Sequence, residues 1–234
     1  MTSVGFVVKG QFRRTVLTGN GDGSIMLWSM EDMGKLLRTA WPHGDPCFGK
    51  YVSVAMFSHG GCCAFSAVVE DNRLKMWSVA SGICIRYFVH DCFNIAGSVL
   101  SSGGDTLLTA GSDGRTMLWE ISSGDCIRTF GEVIDCFFTN CADLTRDGEF
   151  VIGIGIRGDE EIAVLWQACT GEVSWEFQHP SGVVLCVALT SDSQFALTGG
   201  NDGSVRIWSI ISGDCVGILP SSAYYGVTAA TFAS

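Results

Sequence analysis

Apolar and polar positions alternate along this chain in short runs, and one run keeps returning. It reads Ser24-Ile-Met-Leu-Trp28, Arg73-Leu-Lys-Met-Trp77, Arg115-Thr-Met-Leu-Trp119, Ile162-Ala-Val-Leu-Trp166 and Ser204-Val-Arg-Ile-Trp208. A two-residue period predicts a strand with two unlike faces. The tryptophans recur at intervals of 42 to 49 residues, and their flanks recur with them. Six residues before each stands an acid: Asp22, Asp71, Asp113, Glu160 or Asp202. Five residues after comes Gly82, Gly124, Gly171 or Gly213, and in the first repeat Gly34, one residue later. The third period shows four strands, at Ala96–Leu100, Thr106–Ala110, Thr116–Ile121 and Cys126–Phe130. Its turn Ser112-Asp-Gly114 is of the type that favours a tight hairpin. Nothing between the strands carries a helical period. The chain therefore reads as all-β, built of four-stranded antiparallel units. Such units stack radially, because one alone cannot bury both faces.

Composition narrows the class. With 47% apolar and 16% charged residues the chain has the balance of a folded domain, not of a disordered one. A net charge of −10, with no basic stripe, argues against direct nucleic-acid binding. No apolar run approaches the roughly 18 residues of a membrane span. The first ten residues lack the charged, apolar and small-residue regions of a secretory signal. Eleven cysteines, an odd count, leave a thiol over in any disulfide scheme. The expectation is a cytoplasmic, or else nuclear, protein with reduced thiols used as small buried hydrophobes. Cys84, Cys126 and Cys215 recur at one place in the repeat, which points to packing.

These motifs resemble the WD-repeat family over essentially the whole chain. The resemblance implies a β-propeller of about five full blades, at roughly 1–40, 50–89, 94–131, 136–178 and 183–219. The first strand of a sixth follows at 226–234, within one domain over 1–234 that is a segment of a larger propeller. It also implies a buried hydrogen-bonded set of His, Ser or Thr, Asp and Trp within each blade. His90, Thr109, Asp113 and Trp119 match that set, as do His179, Thr198, Asp202 and Trp208, with His-to-Thr offsets of 19 in both. A satisfied network of this kind fixes strand register, and a half-satisfied one is costly. The first repeat carries Thr18, Asp22 and Trp28 without a matching histidine. In the second, Asp71 and Trp77 remain, Ala67 falls where the hydroxyl belongs, and His43 lies in a long loop. In the fourth, Glu160 replaces Asp, Ile156 replaces the hydroxyl, and Trp166 remains. Blade four is expected to be the least well held, with a longer turn at 157–161.

The chemical motifs are weak by comparison. Gly153-Ile-Gly-Ile-Arg-Gly158 matches a dinucleotide pattern, but a strand pattern follows it where a helix is needed. Gly44-Asp-Pro-Cys-Phe-Gly-Lys50 matches most of a phosphate loop, but Tyr51 follows and no helix does. No two cysteines have C-x-x-C spacing, and Cys62 and Cys63 are adjacent, which is awkward for zinc. Cys92 and Cys136 stand at loop edges, the places to look for a reactive thiol. No histidine has a catalytic partner free of the repeat pattern. The reading is a non-catalytic scaffold for protein–protein interaction, with no cofactor, metal, membrane or small-molecule substrate. The alternative is a regulatory or sensor module within a multidomain protein. The resemblance places partner binding on the face carrying the residue before each turn acid, namely Glu70, Ser112, Asp159 and Asn201. The loop aromatics Trp41, Tyr51, Phe93, Phe137, Tyr224 and Tyr225 join them. Glu70 and 159–161 make that face acidic, so a basic peptide is the expected ligand.

Overall fold

The computed structural model describes residues 3–7, 15–32, 34–44, 51–92, 94–131, 142–180, 182–220 and 226–228. Among them, every helix or strand is a β-strand, and the strands form five antiparallel sheets of four. Blade one holds β1 (Ser3–Val7), β2 (Thr15–Gly19), β3 (Ile25–Ser29) and β4 (Lys35–Ala40). Blade two holds β5 (Val52–Phe57), β6 (Cys63–Val68), β7 (Arg73–Ser78) and β8 (Cys84–Val89). Blade three holds β9 (Ile95–Leu100), β10 (Thr106–Gly111), β11 (Thr116–Glu120) and β12 (Cys126–Phe130). Blade four holds β13 (Ala142–Leu144), β14 (Phe150–Arg157), β15 (Glu160–Gln167) and β16 (Val173–Phe177). Blade five holds β17 (Val184–Leu189), β18 (Phe195–Gly200), β19 (Ser204–Ser209) and β20 (Cys215–Pro220). These are the propeller blades the repeat predicts. Of the sixth, only 226–228 are described.

The recurring tryptophan and glycine cooperate in one turn. In every blade the pairing of third and fourth strands slips by one residue immediately before the tryptophan. The glycine that follows has φ between +75° and +83° in all five blades. That glycine sits in the hairpin turn and not in the bulge itself, and it enters the left-handed region there without a Cβ clash. The cysteines of the Ser-Gly-x-Cys motif sit across this bulge from the tryptophan. They are not the buried packing residues expected: Cys84 is half-buried, and Cys126 and Cys215 are exposed. Each Sγ instead lies 3.5–3.6 Å from the carbonyl two residues on. Alternation predicts the wrong face here because the bulge interrupts it.

The chain divides into two compact units, Met1–Ile95 with Ser122–Asp125, and Ala96–Ile121 with Cys126–Ser234. In the first, Leu17, Ile25 and Leu27 of blade one pack against Val52, Phe57 and Trp77 of blade two. In the second, Leu118 and Phe130 of blade three meet Val151 and Trp166 of blade four. The other face of blade four buries Ile152, Leu165 and Phe177 against Val184 and Trp208 of blade five. Phe177 and Trp208 stack with centroids 4.9 Å apart.

A second device fastens consecutive repeats. Four residues after its turn glycine, each of the first four blades carries a large side chain: Arg38, Arg86, Arg128 and Trp175. Each reaches the corresponding turn of the following repeat. Arg38 lies against Gly82, Arg86 against Gly124, Arg128 against Gly171 and Trp175 against Gly213. Arg86 donates to the carbonyls of Ser122 and Ser123, Arg128 to that of Cys169, and Trp175 Nε1 to Ile210 at 2.7 Å. In blade five the position is Gly217, which has no side chain to offer.

Candidate functional site

Blade five shows the complete side-chain network. Trp208 Nε1 donates to Thr198 Oγ1 at 2.9 Å, and that hydroxyl lies 2.7 Å from His179 Nε2. The other imidazole nitrogen stands 3.4 Å from Asp202 Oδ1, which also receives Ser204 Oγ at 2.7 Å. Burial holds the His179 pKa below its ordinary value, against the pull of Asp202. In blade one, Trp28 Nε1 donates to Thr18 Oγ1 at 2.9 Å, and Asp22 accepts from Ser24. The Ser24 hydroxyl and backbone bonds lower the Asp22 pKa. In blade three, Trp119 Nε1 donates to Thr109 Oγ1 at 2.7 Å, and Arg115 pairs with Asp113 at 2.6 Å. His90 belongs to the first unit, where it is fully buried and its backbone N–H donates to Asn72.

Blade two corrects two expectations. The hydroxyl is not lost to Ala67: it is Ser66, one residue earlier. Ser66 pairs across the sheet with Lys75, two residues before Trp77. Thr18, Thr109 and Thr198 pair likewise with Met26, Met117 and Arg206. Trp77 Nε1 donates to Ser66 Oγ at 3.2 Å. His43 is not a loop residue free of the pattern. Its side chain is 4% exposed, with Nε2 3.0 Å from Ser66 Oγ and Nδ1 3.2 Å from Asp71 Oδ2. The hairpin has gained a residue, and Glu70 takes it up at φ +64°.

A buried cation also joins the network of this blade. Lys75 is buried, its Nζ 3.0 Å from the Pro42 carbonyl and 3.9 Å from Asp71. Lys75 and Arg73 both lie within 6 Å of the Tyr87 ring centre. Burial, reinforced by Lys75, pushes His43 down to about 4. Burial works to raise Asp71, but hydrogen bonds from Arg73 and His43 hold it below the usual carboxylate value.

Blade four departs differently. The position opposite Val164, two residues before Trp166, is Gly153 and not Ile156. A Cβ there would lie 3.0 Å from Thr116 Oγ1 and 3.3 Å from the Trp166 ring, so a side chain would press on both. The turn is not lengthened. The ladder continues to Arg157 opposite Glu160, closing on the two residues Gly158 and Asp159. The dinucleotide-like glycines are thus spent inside β14 and its turn. Of the phosphate-loop-like segment, 45–50 lie outside the described residues.

The proposed binding residues fall in both units. In the first, Trp41, Tyr51 and Glu70 are exposed. The Tyr51 carbonyl accepts from Val69 N, and Glu70 N donates to Asn94 Oδ1 at 2.8 Å, so these segments meet at one end of blade two. In the second, Asp159 is exposed at its hairpin tip, Asn201 is exposed in the β18–β19 turn, and Ser112 is half-buried. Phe93, Phe137, Tyr224 and Tyr225 lie outside the described residues, as does Cys136. Cys92 is buried, its thiol 3.0 Å from the Asn94 carbonyl. Val227 N donates to Gly200 O at 3.1 Å, the bond that Val52 N makes to Asn20 O where blade two begins on blade one. Sequence reading missed Ser66, buried Lys75 and the reaching arginines. The arginines recur at a fixed distance from the turn glycine, a signal the sequence did contain.

Residues 171–209 match the family described as WD domain, G-beta repeat. That stretch contains the whole blade-five network. The chain is 32% identical over 66 residues to Protein ROOT INITIATION DEFECTIVE 3 of Arabidopsis thaliana. This covers 28% of the chain and 14% of the relative. It is 25% identical over 77 residues to eukaryotic translation initiation factor 3 subunit I of Aspergillus niger, covering 33% and 22%. The matched stretches span less than a quarter of either curated relative.

Proposed function

We propose that this chain, a WD-repeat protein, serves as a non-catalytic platform on which other proteins assemble. One observation carries the reading. The polar side chains that recur in its blades are engaged with one another, so chemistry is left to the turns, whose side chains differ from blade to blade. Thr198, His179, Asp202 and Trp208 satisfy each other, as do Ser66, His43, Asp71 and Trp77. A general base needs a nucleophile or substrate within reach, and these imidazoles face structural partners. The turns meanwhile expose Trp41, Tyr51, Glu70, Asp159 and Asn201, two aromatics among polar and acidic groups. Aromatic anchors with a polar surround suit protein recognition. A translation-factor subunit among the partial relatives supports membership of a multiprotein complex. The same reading puts the protein in the cytosol, with its thiols reduced.

The test is proximity cross-linking in cells with the full-length protein and a Trp41→Ala/Tyr51→Ala variant, checked first for an unchanged urea midpoint. The expected result is a defined set of cross-linked proteins that the variant loses. An identical set from both would remove this face from the reading.

A further inference from the structure

The β5–β6 turn holds two thiols that neither the hydrogen-bonded sets nor the exposed aromatics use. Consecutive side chains on a strand point to opposite faces, which would part Cys62 from Cys63. Cys62, however, precedes β6 and lies in the turn, and its Sγ stands 3.9 Å from that of Cys63. The backbone fixes the pair from both sides. Ser58 N donates to Cys63 O at 2.9 Å, Cys63 N to Ser58 Oγ at 3.1 Å, and Val79 N to Cys62 O at 3.0 Å. Gly61 N donates to Ser58 O at 2.9 Å and takes φ +70°, which closes the turn. Cys62 is exposed and Cys63 half-buried. Exposed Gly60, where an added Cβ would lie 4.0 Å from the Cys62 sulfur, leaves that side bare.

We propose that Cys62 and Cys63 form a chelate site for a soft, thiophilic cation, copper(I). The proposal goes beyond the platform reading and stands apart from it. Two sulfurs bound to one thiophilic ion at about 2.3 Å, the zinc–sulfur distance, stand about 3.8 Å apart at a tetrahedral angle. The observed 3.9 Å already has that spacing. The same pair is a poor disulfide, because neighbouring Cα atoms are about 3.8 Å apart, short of the roughly 4.4 Å at which disulfides begin. Zinc asks for four ligands, and among the described residues no histidine or carboxylate makes up even a set of three with these sulfurs. Copper(I) is selected by soft thiolates and is content with three. At this spacing the two sulfurs subtend about 115° at the ion, the angle of a three-coordinate site. The bare side over Gly60 admits the third ligand, a small thiol from solution. Each coordinating thiol gives its proton to solvent as its sulfur takes the metal, and no electron changes hands.

The experiment measures alkylation of the full-length protein by excess iodoacetamide under nitrogen, read cysteine by cysteine by peptide mass spectrometry. Copper(I) is supplied as its glutathione complex, with glutathione alone as the control. One equivalent should slow the alkylation of Cys62 and Cys63 at least tenfold, before any other cysteine is protected, and one equivalent of zinc should leave both unchanged. In Cys63→Ser, checked for an unchanged urea midpoint, Cys62 should react within twofold of its metal-free rate. Cys62→Ser, at the exposed position, is the reciprocal variant and reads Cys63. Protection of other cysteines first, protection that survives in either variant, or equal protection by zinc each overturns the proposal.

Discussion

Blades two and four both lengthen the hairpin between their second and third strands, and they absorb the extra chain in opposite ways. In the regular blades, seven residues separate the hydroxyl from its cross-strand partner, as between Thr18 and Met26. Blade two has one more, between Ser66 and Lys75, and blade four three more, between Gly153 and Val164. Blade two keeps the network and bends the turn around Glu70. Blade four gives up the network, replaces the hydroxyl with Gly153, and extends its ladder four pairs past that position, against one pair in blade one. The contrast shows two currencies for fixing one register: a few buried side-chain bonds, or a longer ladder needing no particular side chain beyond its turn glycine.

The sharpest way to break the contrast is Ser66→Ala. It leaves the Trp77 N–H and a His43 nitrogen unmatched in a buried site, at a cost of roughly 2–4 kcal/mol, read as a lowered urea midpoint. Acid should separate the blades next. His43 is pushed to about 4 against an ordinary 6.5. Its folded form resists a proton that the unfolded chain accepts, so stability is full above pH 6.5 and falls as pH drops from 6.5 towards 4. The loss is at most about 3 kcal/mol. His43→Gln should flatten that slope in a pH series of melts, leaving the smaller part owed to His179, which shifts the same way. The ladder of blade four owes nothing to an imidazole.

Gly153→Val probes the other solution. Its Cβ and methyls press on Thr116 and the Trp166 ring, costing about 1–3 kcal/mol. The exchange should be visible as altered Trp166 fluorescence as well as a lower midpoint. The smallest effect has the opposite sign. Glu70→Gly relieves a left-handed non-glycine residue and should stabilise by about 0.5–1 kcal/mol. A destabilised Glu70→Gly protein would show that the Glu70 side chain, not only its backbone, holds the turn.

The blades were legible in the sequence because alternation and turn chemistry are local. Strands of the third period fall within a residue of where the pattern puts them. The networks were legible only where the hairpin had its ordinary length, because counting back from a tryptophan assumes a fixed turn. Asp22, Asp113 and Asp202 are each followed by glycine, whereas Asp71 is followed by Asn72, a sign that this turn is built differently. Gly158-Asp159 likewise announces a tight hairpin where a longer turn was expected. The meeting of the Cys62 and Cys63 sulfurs was beyond reach, since alternation sends neighbouring side chains to opposite faces and only the turn brings these two together.

The four side chains that hold the glycine turn of the following repeat all point one way along the polypeptide. Arg38, Arg86, Arg128 and Trp175 each lie earlier in the chain than the turn they hold. On a translating ribosome the hook is therefore made before its eye. Each new hairpin emerges beside an arm already in place, and docking can advance with elongation instead of waiting for the finished polypeptide. At Gly217 this forward series stops, so whatever is seated after blade five begins without a hook from behind.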